Sequence, residues 1–226
     1  ETDPEKLVFT LYPEGNRGIR ADTFKHYQNP AVVRINEFFD GIPEFNAWNF
    51  QELCIVPMSD RRILGVGRTL LGSPGYTVSE DQGKTWTKVE PLCYAPGGPK
   101  IDHPMTMCPL KKTSDGRYIL LITNNDGAKR GAKHVWDRNG KTRNPQWITV
   151  GVESGKKGEN AGMIFGEPML LVEVDDSKDA NLKTGISMPE FIERDGRYFV
   201  CYNINKEDIL LDEIPAETLD KLTPKI

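Results

Sequence analysis

The stretch Tyr76–Glu90 constrains the fold most, because its turn chemistry admits few backbone paths. The pattern predicts two short strands joined by a tight hairpin, with residues 86–89 in the outgoing strand. Asp81 is expected to fold its carboxylate back onto backbone N–H groups of the loop, and Gly83 permits a positive φ. We expect these residues to stabilise a turn rather than to touch a substrate. The residues on which this hairpin prediction rests are Ser79, Asp81, Gly83 and Trp86.

A second pattern, an apolar run, a turn with aspartate and another apolar run, occurs three times. The turns lie at Asp60, Asp115 and Asp195, with spacings of 55 and 80 residues. Asp-Gly turns between apolar runs are strong hairpin signals. Further strand pairs lie between these hairpins, so each unit is interpreted as four consecutive antiparallel strands, the arrangement of a β-propeller blade. The only helix expected is one or two turns within residues 215–222.

The length of the chain bounds the number of blades. Blades of this kind take about 40–50 residues, so the 226 residues predict about four. We expect an all-β fold with a single β-propeller domain of about six blades when complete, of which this chain covers roughly the C-terminal four. The chain begins without methionine and shows no secretory signal, so a processed form or a fragment is expected. The predicted units are a partial blade at 1–45, blades at 46–100 and 101–180, and a partial last blade at 181–226.

Composition argues against several functional classes. The net charge of −4 argues against nucleic acid as a partner, and no apolar run approaches membrane-spanning length. The four cysteines form no C-x-x-C pair and the three histidines are scattered, so no metal site and no cofactor are expected.

The pattern S-x-D-x-G-x-x-W at residues 79–86 resembles the Asp box, or bacterial neuraminidase repeat, of sialidase-like β-propellers. Together with the repeated hairpins, it makes the chain similar to the sialidase (neuraminidase) superfamily from residue 48 to about residue 215. The resemblance implies a glycoside hydrolase that acts on a glycan, and a bacterial protein that is secreted, periplasmic or on the cell surface. Other segments that carry it are H-P-M-T-M-C-P-L, D-G-R-Y-I-L-L-I-T-N-N and I-S-M-P-E-F-I-E-R-D-G-R-Y-F.

Members of this superfamily bind the substrate carboxylate with three arginines and use a tyrosine nucleophile assisted by a glutamate, with an aspartate as acid/base. A full arginine triad is not identified in this sequence. The resemblance therefore leaves three functions open: a glycoside hydrolase, a non-catalytic glycan-binding propeller and a protein-interaction scaffold. The remaining blades would come from the same protein or from another chain.

Propeller geometry predicts where a site would lie. The first strand of each blade lines the central channel, and its start shares one face with the end of the second strand. Glu52 and Glu190 are candidate acid/base or nucleophile-assisting groups, and His103 is a candidate for proton transfer. Arg68 is expected to bind a carboxylate in a bidentate manner and to converge with His103, Asn124 and Glu190. The other candidate substrate-binding residues are Trp48, Asp102, Asn124, Asn125, Arg143 and Asn203.

A basic insertion in the unit 101–180 favours an anionic ligand. An excess of positive charge in an acidic protein would attract sialic or uronic acids, although a solvated loop is the alternative interpretation. The basic residues of the insertion are Lys129, Arg130, Lys133, Arg138, Lys141 and Arg143.

Overall fold

The computed structural model describes residues 50–69, 72–126, 140–175 and 185–225. These residues form three antiparallel sheets, which confirms the predicted all-β class. In the first sheet the strands are paired in chain order. They are β1 (Gln51–Pro57), β2 (Ile63–Arg68), β3 (Gly75–Ser79) and β4 (Glu90–Pro91).

The second and third sheets depart from a uniform four-strand pattern. In the second, β5 (Leu110–Lys112), β6 (Tyr118–Ile122), β7 (Gln146–Glu153) and β8 (Met163–Phe165) pair in order, and β9 (Met169–Val172) also pairs with β7. Three strands make the third sheet within the described residues: β10 (Ile186–Arg194), β11 (Arg197–Ile204) and β12 (Asp208–Ile214). The helix expected near residue 215 is confirmed as α1 (Ala216–Leu222). The number of blades and their closure into a ring stay predictions.

The three repeated turns use aspartate in two ways. The carboxylates of Asp60 and Asp115 accept the backbone N–H two residues later, at 3.1 and 3.3 Å, and each also pairs with that residue's arginine side chain. Asp195 instead adopts φ 52° and the following Gly196 φ 74°, which makes a two-residue hairpin loop with positive φ at both positions. The shared sequence pattern therefore yields hairpins at all three places by different local contacts.

The apolar core lies between adjacent sheets. Strand β6 is fully buried along its length, since its two faces pack against different neighbours. Leu120 and Ile122 belong to the cluster shared with the first sheet. Ile119 and Leu121 belong to the cluster shared with the third sheet and with α1. The second sheet is thus sandwiched between the other two, as stacked blades would be.

The prediction that residues 86–89 form a strand was wrong. The outgoing strand is only Glu90–Pro91, paired with the start of β3. One backbone hydrogen bond joins the two sides in between, from the Thr87 N–H to the Val78 carbonyl at 2.9 Å. Side chains add two more: the Thr87 hydroxyl accepts the Val78 N–H at 2.9 Å, and the Thr77 hydroxyl donates to the Thr87 carbonyl at 2.6 Å. Trp86 is buried against this hairpin, where a Cβ at Gly65 would lie 3.3 Å from the indole ring.

Residues 165–174, which belong to the strand pairs expected between the second and third hairpins, do not form one continuous strand. Strand β8 ends at Phe165, and β9 begins at Met169. A Cβ at Gly166 would lie 2.0 Å from the carbonyl oxygen of Leu222, so the end of α1 packs directly on the backbone at the break. A contact so distant in sequence leaves no periodic signal in the strand itself.

One face of the third sheet exposes large apolar side chains. Ile209 is 80% exposed, Leu211 60% and Met188 54%. Ile209 and Leu211 project from β12, which is the outer strand of this sheet within the described residues. The opposite face of the sheet contributes to the core shared with β6.

Candidate functional site

Each sheet has two ends, and they differ in chemistry. We call the end that collects the starts of β1 and β10 and the ends of β2, β6 and β11 the site face. The opposite end, which holds the three repeated turns and residues 79–86, is called the turn face. Antiparallel pairing places these groups together, as in the register pair Gln51 and Arg68.

Arg68 lies at the end of β2 beside a bulge in β1. The pairing register shifts between Gln51 and Cys54, and Glu52 within this bulge has φ 53°. Bulges redirect side chains, and here the Glu52 carboxylate lies 3.2 Å from Arg68 Nη1. Arg68 Nη2 donates to the side-chain oxygen of Gln51. Arg68 Nε is buried and has no hydrogen-bond partner among the described residues.

His103 lies in the interior rather than in an open pocket. Its Nδ1 accepts the Thr123 N–H at 3.2 Å, and its Nε2 lies 2.9 Å from the Thr106 carbonyl oxygen, to which it donates. Burial lowers the pKa of His103 to about 4, and the charges of Arg143 and Arg68 act in the same direction. The expected proton-transfer role finds no support in this geometry, because the ring is fully buried and both nitrogens are engaged.

Arg143 joins this centre from the short 3-10 helix Gly140–Arg143. Its Nη2 donates to the Met105 carbonyl at 3.4 Å, on the same loop that carries His103. The positive charges of both Arg143 and Arg68 act on the His103 ring, so each guanidinium group lies within electrostatic reach of that ring. The pair of arginines forms the positive part of the candidate site.

A second part of the site lies on the first strands of adjacent sheets. Glu190 of β10 accepts from Lys111 of β5, with 2.7 Å between Nζ and Oε1. The hydrogen bond that Lys111 donates to Glu190 raises the pKa of Lys111. Burial raises the pKa of the Cys54 thiol on β1, and the charges of Glu190 and Glu52 raise it further, so both carboxylates lie within electrostatic reach of Cys54. Sequence reasoning missed Lys111, whose only signal was a charged residue in an apolar first strand.

The predicted asparagines fall into different surroundings. Asn125 is buried, and its Nδ2 donates to the carbonyls of Thr123 and Thr142 at 3.0 and 3.1 Å, so it braces the loop of Arg143. Asn124 follows β6 with φ 51° and is half-buried next to the Thr123 N–H that His103 accepts. Asn203 of β11 accepts the Ser187 hydroxyl at 2.5 Å.

Two further candidates complete the set. Asp102 is half-buried directly before His103 and lies near Tyr94. The pKa of Tyr94 is raised to about 12, first by the burial of its own side chain and then by the charge of Asp102. Trp48 lies outside the described residues. The structure therefore places Arg68 and Arg143 within electrostatic reach of His103, with Asn124 next to the residue whose N–H His103 accepts. It also places Glu190 and Glu52 within electrostatic reach of the Cys54 thiol.

The site face also contains buried polar atoms without partners among the described residues. An unsatisfied buried polar atom costs about 1–3 kcal/mol, so a cluster of them needs an explanation in function or hydration. The cluster consists of Arg68 Nε, Ser73 Oγ, Thr123 Oγ1 and Gln146 Oε1.

The turn at residues 79–86 has the local contacts that its sequence predicts. Asp81 accepts the Thr85 N–H at 2.8 Å and the Thr85 hydroxyl at 2.6 Å, and these hydrogen bonds lower its pKa to about 2. The Ser79 hydroxyl accepts the N–H of Gly83, which has φ 84°. Trp86 Nε1 donates to the Gly83 carbonyl at 3.1 Å. The hairpin is therefore closed by its own side chains, on the turn face.

The fold corresponds to a part of the sialidase fold. The chain has a TM-score of 0.50 and 17% identity to the intramolecular trans-sialidase from Ruminococcus gnavus, solved with oseltamivir carboxylate; the match covers 74% of this chain and 33% of that one. It has the same score and identity to the leech intramolecular trans-sialidase, solved with 2,7-anhydro-Neu5Ac, covering 74% of this chain and 24% of that one.

These comparisons show a shared fold over part of each relative. The chain spans about a third of the bacterial enzyme and about a quarter of the leech enzyme. No protein-family model and no curated protein sequence matches the chain. Across the described ranges, no helix has the length and apolar character needed to cross a membrane, and no group of three or more potential metal ligands is found.

Proposed function

We propose that this protein is a sialidase-like glycoside hydrolase that acts on an acidic glycan, with a terminal sialic or uronic acid bound at the site face. The observation that carries the proposal is the presence of two arginines near His103, of which Arg68 has a buried Nε without a hydrogen-bond partner among the described residues. A guanidinium held in this way offers a planar fork that suits a carboxylate. The likeness of the fold to two trans-sialidases supports the same ligand class.

The proposal assigns a role to each candidate residue. Arg68 and Arg143 bind the substrate carboxylate, and Glu190 and Glu52 act as the acid/base or nucleophile-assisting groups. Both carboxylates are half-exposed, at 37% and 34% of their side-chain surface, so a ligand can reach them. Sugar hydroxyls are bound by amides and carboxylates at the rim, which are supplied by Asp102, Asn124, Asn125 and Asn203, with Trp48 for stacking.

A non-catalytic glycan-binding function is the second candidate, and one observation favours it. Each candidate carboxylate is already paired with a cation, Glu52 with Arg68 and Glu190 with Lys111. A carboxylate in an ion pair is well suited to orient a binding group and less suited to donate a proton. A secreted, periplasmic or cell-surface location in a bacterium fits both functions, as does a complete propeller formed with further blades.

Binding and turnover experiments separate the two functions. The protein would be titrated by calorimetry with N-acetylneuraminic acid, glucuronic acid and glucose, and assayed with the 4-methylumbelliferyl glycosides of the two acids. A hydrolase should bind an acidic sugar and release the fluorophore, and E190Q should abolish release while acid binding persists. Binding without release supports the glycan-binding function. Equal affinity for glucose and for both acids would contradict the acidic-glycan proposal.

A further inference from the structure

His103 connects three separate segments of the site face. Its backbone N–H donates to the Gly72 carbonyl at 2.9 Å, in the loop that follows β2 and Arg68. Its ring Nδ1 accepts the N–H of Thr123 at the end of β6, and its Nε2–H donates to Thr106 in its own loop. One residue thus ties the loop after β2 in the first sheet to the end of β6 in the second, within electrostatic reach of both arginines.

The donors and acceptors fix the chemical state of the ring. A backbone N–H can only donate, so Nδ1 must carry a lone pair, and a carbonyl can only accept, so Nε2 must carry the proton. A doubly protonated ring would direct an N–H at the Thr123 N–H and add a third positive charge beside Arg68 and Arg143. The ring is fully buried, which disfavours the charged form further.

The loop around His103 also supports the second arginine. Thr106 N–H donates to the Pro104 carbonyl at 2.7 Å, which makes a tight turn, and the Met105 carbonyl within that turn accepts from Arg143 Nη2. The Nε2 bond to Thr106 holds the same turn closed from the other side. Loss of the ring would therefore release the loop on which Arg143 rests and the end of β6.

We propose that His103 is a positioning residue for the two-arginine centre: as a neutral Nε2–H imidazole it holds Arg68 and Arg143 in the geometry that binds a carboxylate. It takes no part in proton transfer. This inference rests on the proposed function for its ligand, but the positions of the arginines can be measured without any ligand.

The test uses H103Q and H103F in the complete chain. Gln keeps one acceptor and one donor, whereas Phe keeps only the volume of the ring. ¹⁵N NMR would follow the His103 ring from pH 8 to pH 5, with its signals identified by their loss in H103Q. The Nε–H signals of Arg68 and Arg143 would be recorded in all three proteins, and each would be titrated with N-acetylneuraminic acid.

The expected result is a ring that stays neutral with the proton on Nε2 throughout this pH range. H103F should shift or broaden both arginine signals and weaken binding at least tenfold, and H103Q should restore both to near the wild-type values. A ring that titrates between pH 5.5 and pH 8, or an H103F protein with unchanged arginine signals, would overturn the proposal.

Two remaining outcomes are also decisive. If the wild-type protein binds no acidic sugar, the proposed function fails, and the arginine signals in H103F and H103Q alone decide the positioning role. If H103F does not fold, H103Q decides: arginine signals at their wild-type positions support the role, and displaced signals contradict it.

Discussion

The turn face and the site face lie at opposite ends of the same strands, and they differ in whether their buried polar groups have hydrogen-bond partners. On the turn face, Glu153 accepts the Ser59 N–H at 2.9 Å, the Ser59 hydroxyl at 2.6 Å and the Tyr118 hydroxyl, and lies 3.5 Å from Lys112 Nζ. Arg117 Nε is an exception there, although its other nitrogens pair with Asp115 and Asp220.

On the site face, by contrast, several buried atoms have no partner within the part of the chain that the structure describes. The satisfied contacts of the turn face stabilise the packing of the sheets. The unsatisfied groups of the site face cost stability and leave donors and acceptors for a ligand or for water. We therefore expect mutations on the turn face to change the stability of the fold, and mutations on the site face to change ligand binding.

The largest expected effect is on the turn face. E153A should lower the free energy of unfolding by about 3 kcal/mol, because it leaves the Tyr118 hydroxyl, Lys112 and Ser59 without the half-buried carboxylate that they share. Chemical denaturation would measure the loss. The matched control is E193A, since Glu193 is also half-buried and accepts the N–H and hydroxyl of Ser114 in the same way. A loss in E193A as large as that in E153A would contradict the role given to the Tyr118 and Lys112 contacts of Glu153.

The second expected effect is a pH dependence of stability that is caused by His103 on the site face. The pKa of His103 is about 4 in the folded protein against 6.5 for the free side chain, so the unfolded chain binds the proton more tightly. Stability is therefore fully present above pH 6.5 and falls by roughly 3 kcal/mol as the pH drops towards 4. Denaturation curves at several pH values would show the slope. H103Q should flatten it in this window, and an unchanged slope would exclude His103 as its source.

The third effect concerns binding alone. R68A should weaken the binding of an acidic sugar by about 1.5–3 kcal/mol, the contribution of a charged hydrogen bond, with little change in melting temperature. R68K should recover only part of it, because the ammonium keeps the charge but loses the planar fork. Calorimetry with glucose provides the control ligand. Equal affinity of wild type and R68A for the acid would remove Arg68 from the site.

The smallest effect returns to the turn face. D81A removes the acceptor of both Thr85 donors and should lower the melting temperature less than E153A does, since the hydrogen bonds of Asp81 join only residues of its own turn. Ligand affinity should not change, because the turn lies at the opposite end of the sheet. Calorimetric melting and a sugar titration would check both statements. An unchanged melting temperature with lost binding would reverse the assignment of the two faces.

Local chemistry made much of this fold predictable. The contacts of Asp81 lie within six residues of sequence, and the Asp-Gly hairpins depend on adjacent residues, so their patterns are visible in the chain. The position of Arg68 beside Glu52 follows from antiparallel pairing across one hairpin. Features of this kind need no knowledge of how the sheets pack.

The rest depends on contacts between sheets. Lys111 meets Glu190 only because the first strands of the second and third sheets are neighbours, and no local pattern encodes that distance. His103 lies in a segment of mixed polarity, so the sequence cannot show that both ring nitrogens are taken up by backbone groups of other segments. The bulge at Glu52 was equally hidden, since it is defined by the register of the partner strand.

The exposed apolar side chains on the third sheet determine how readily this protein aggregates. Isoleucine and leucine on an outer strand invite a second molecule to add to the sheet, because exposed edges and apolar patches are the usual starting points of aggregation. The chain should remain dispersed only at low concentration, and Lys in place of Ile209 and Leu211 should raise its solubility without touching the arginines. The solubility of the protein should thus depend on β12, the outer strand of the third sheet within the described residues.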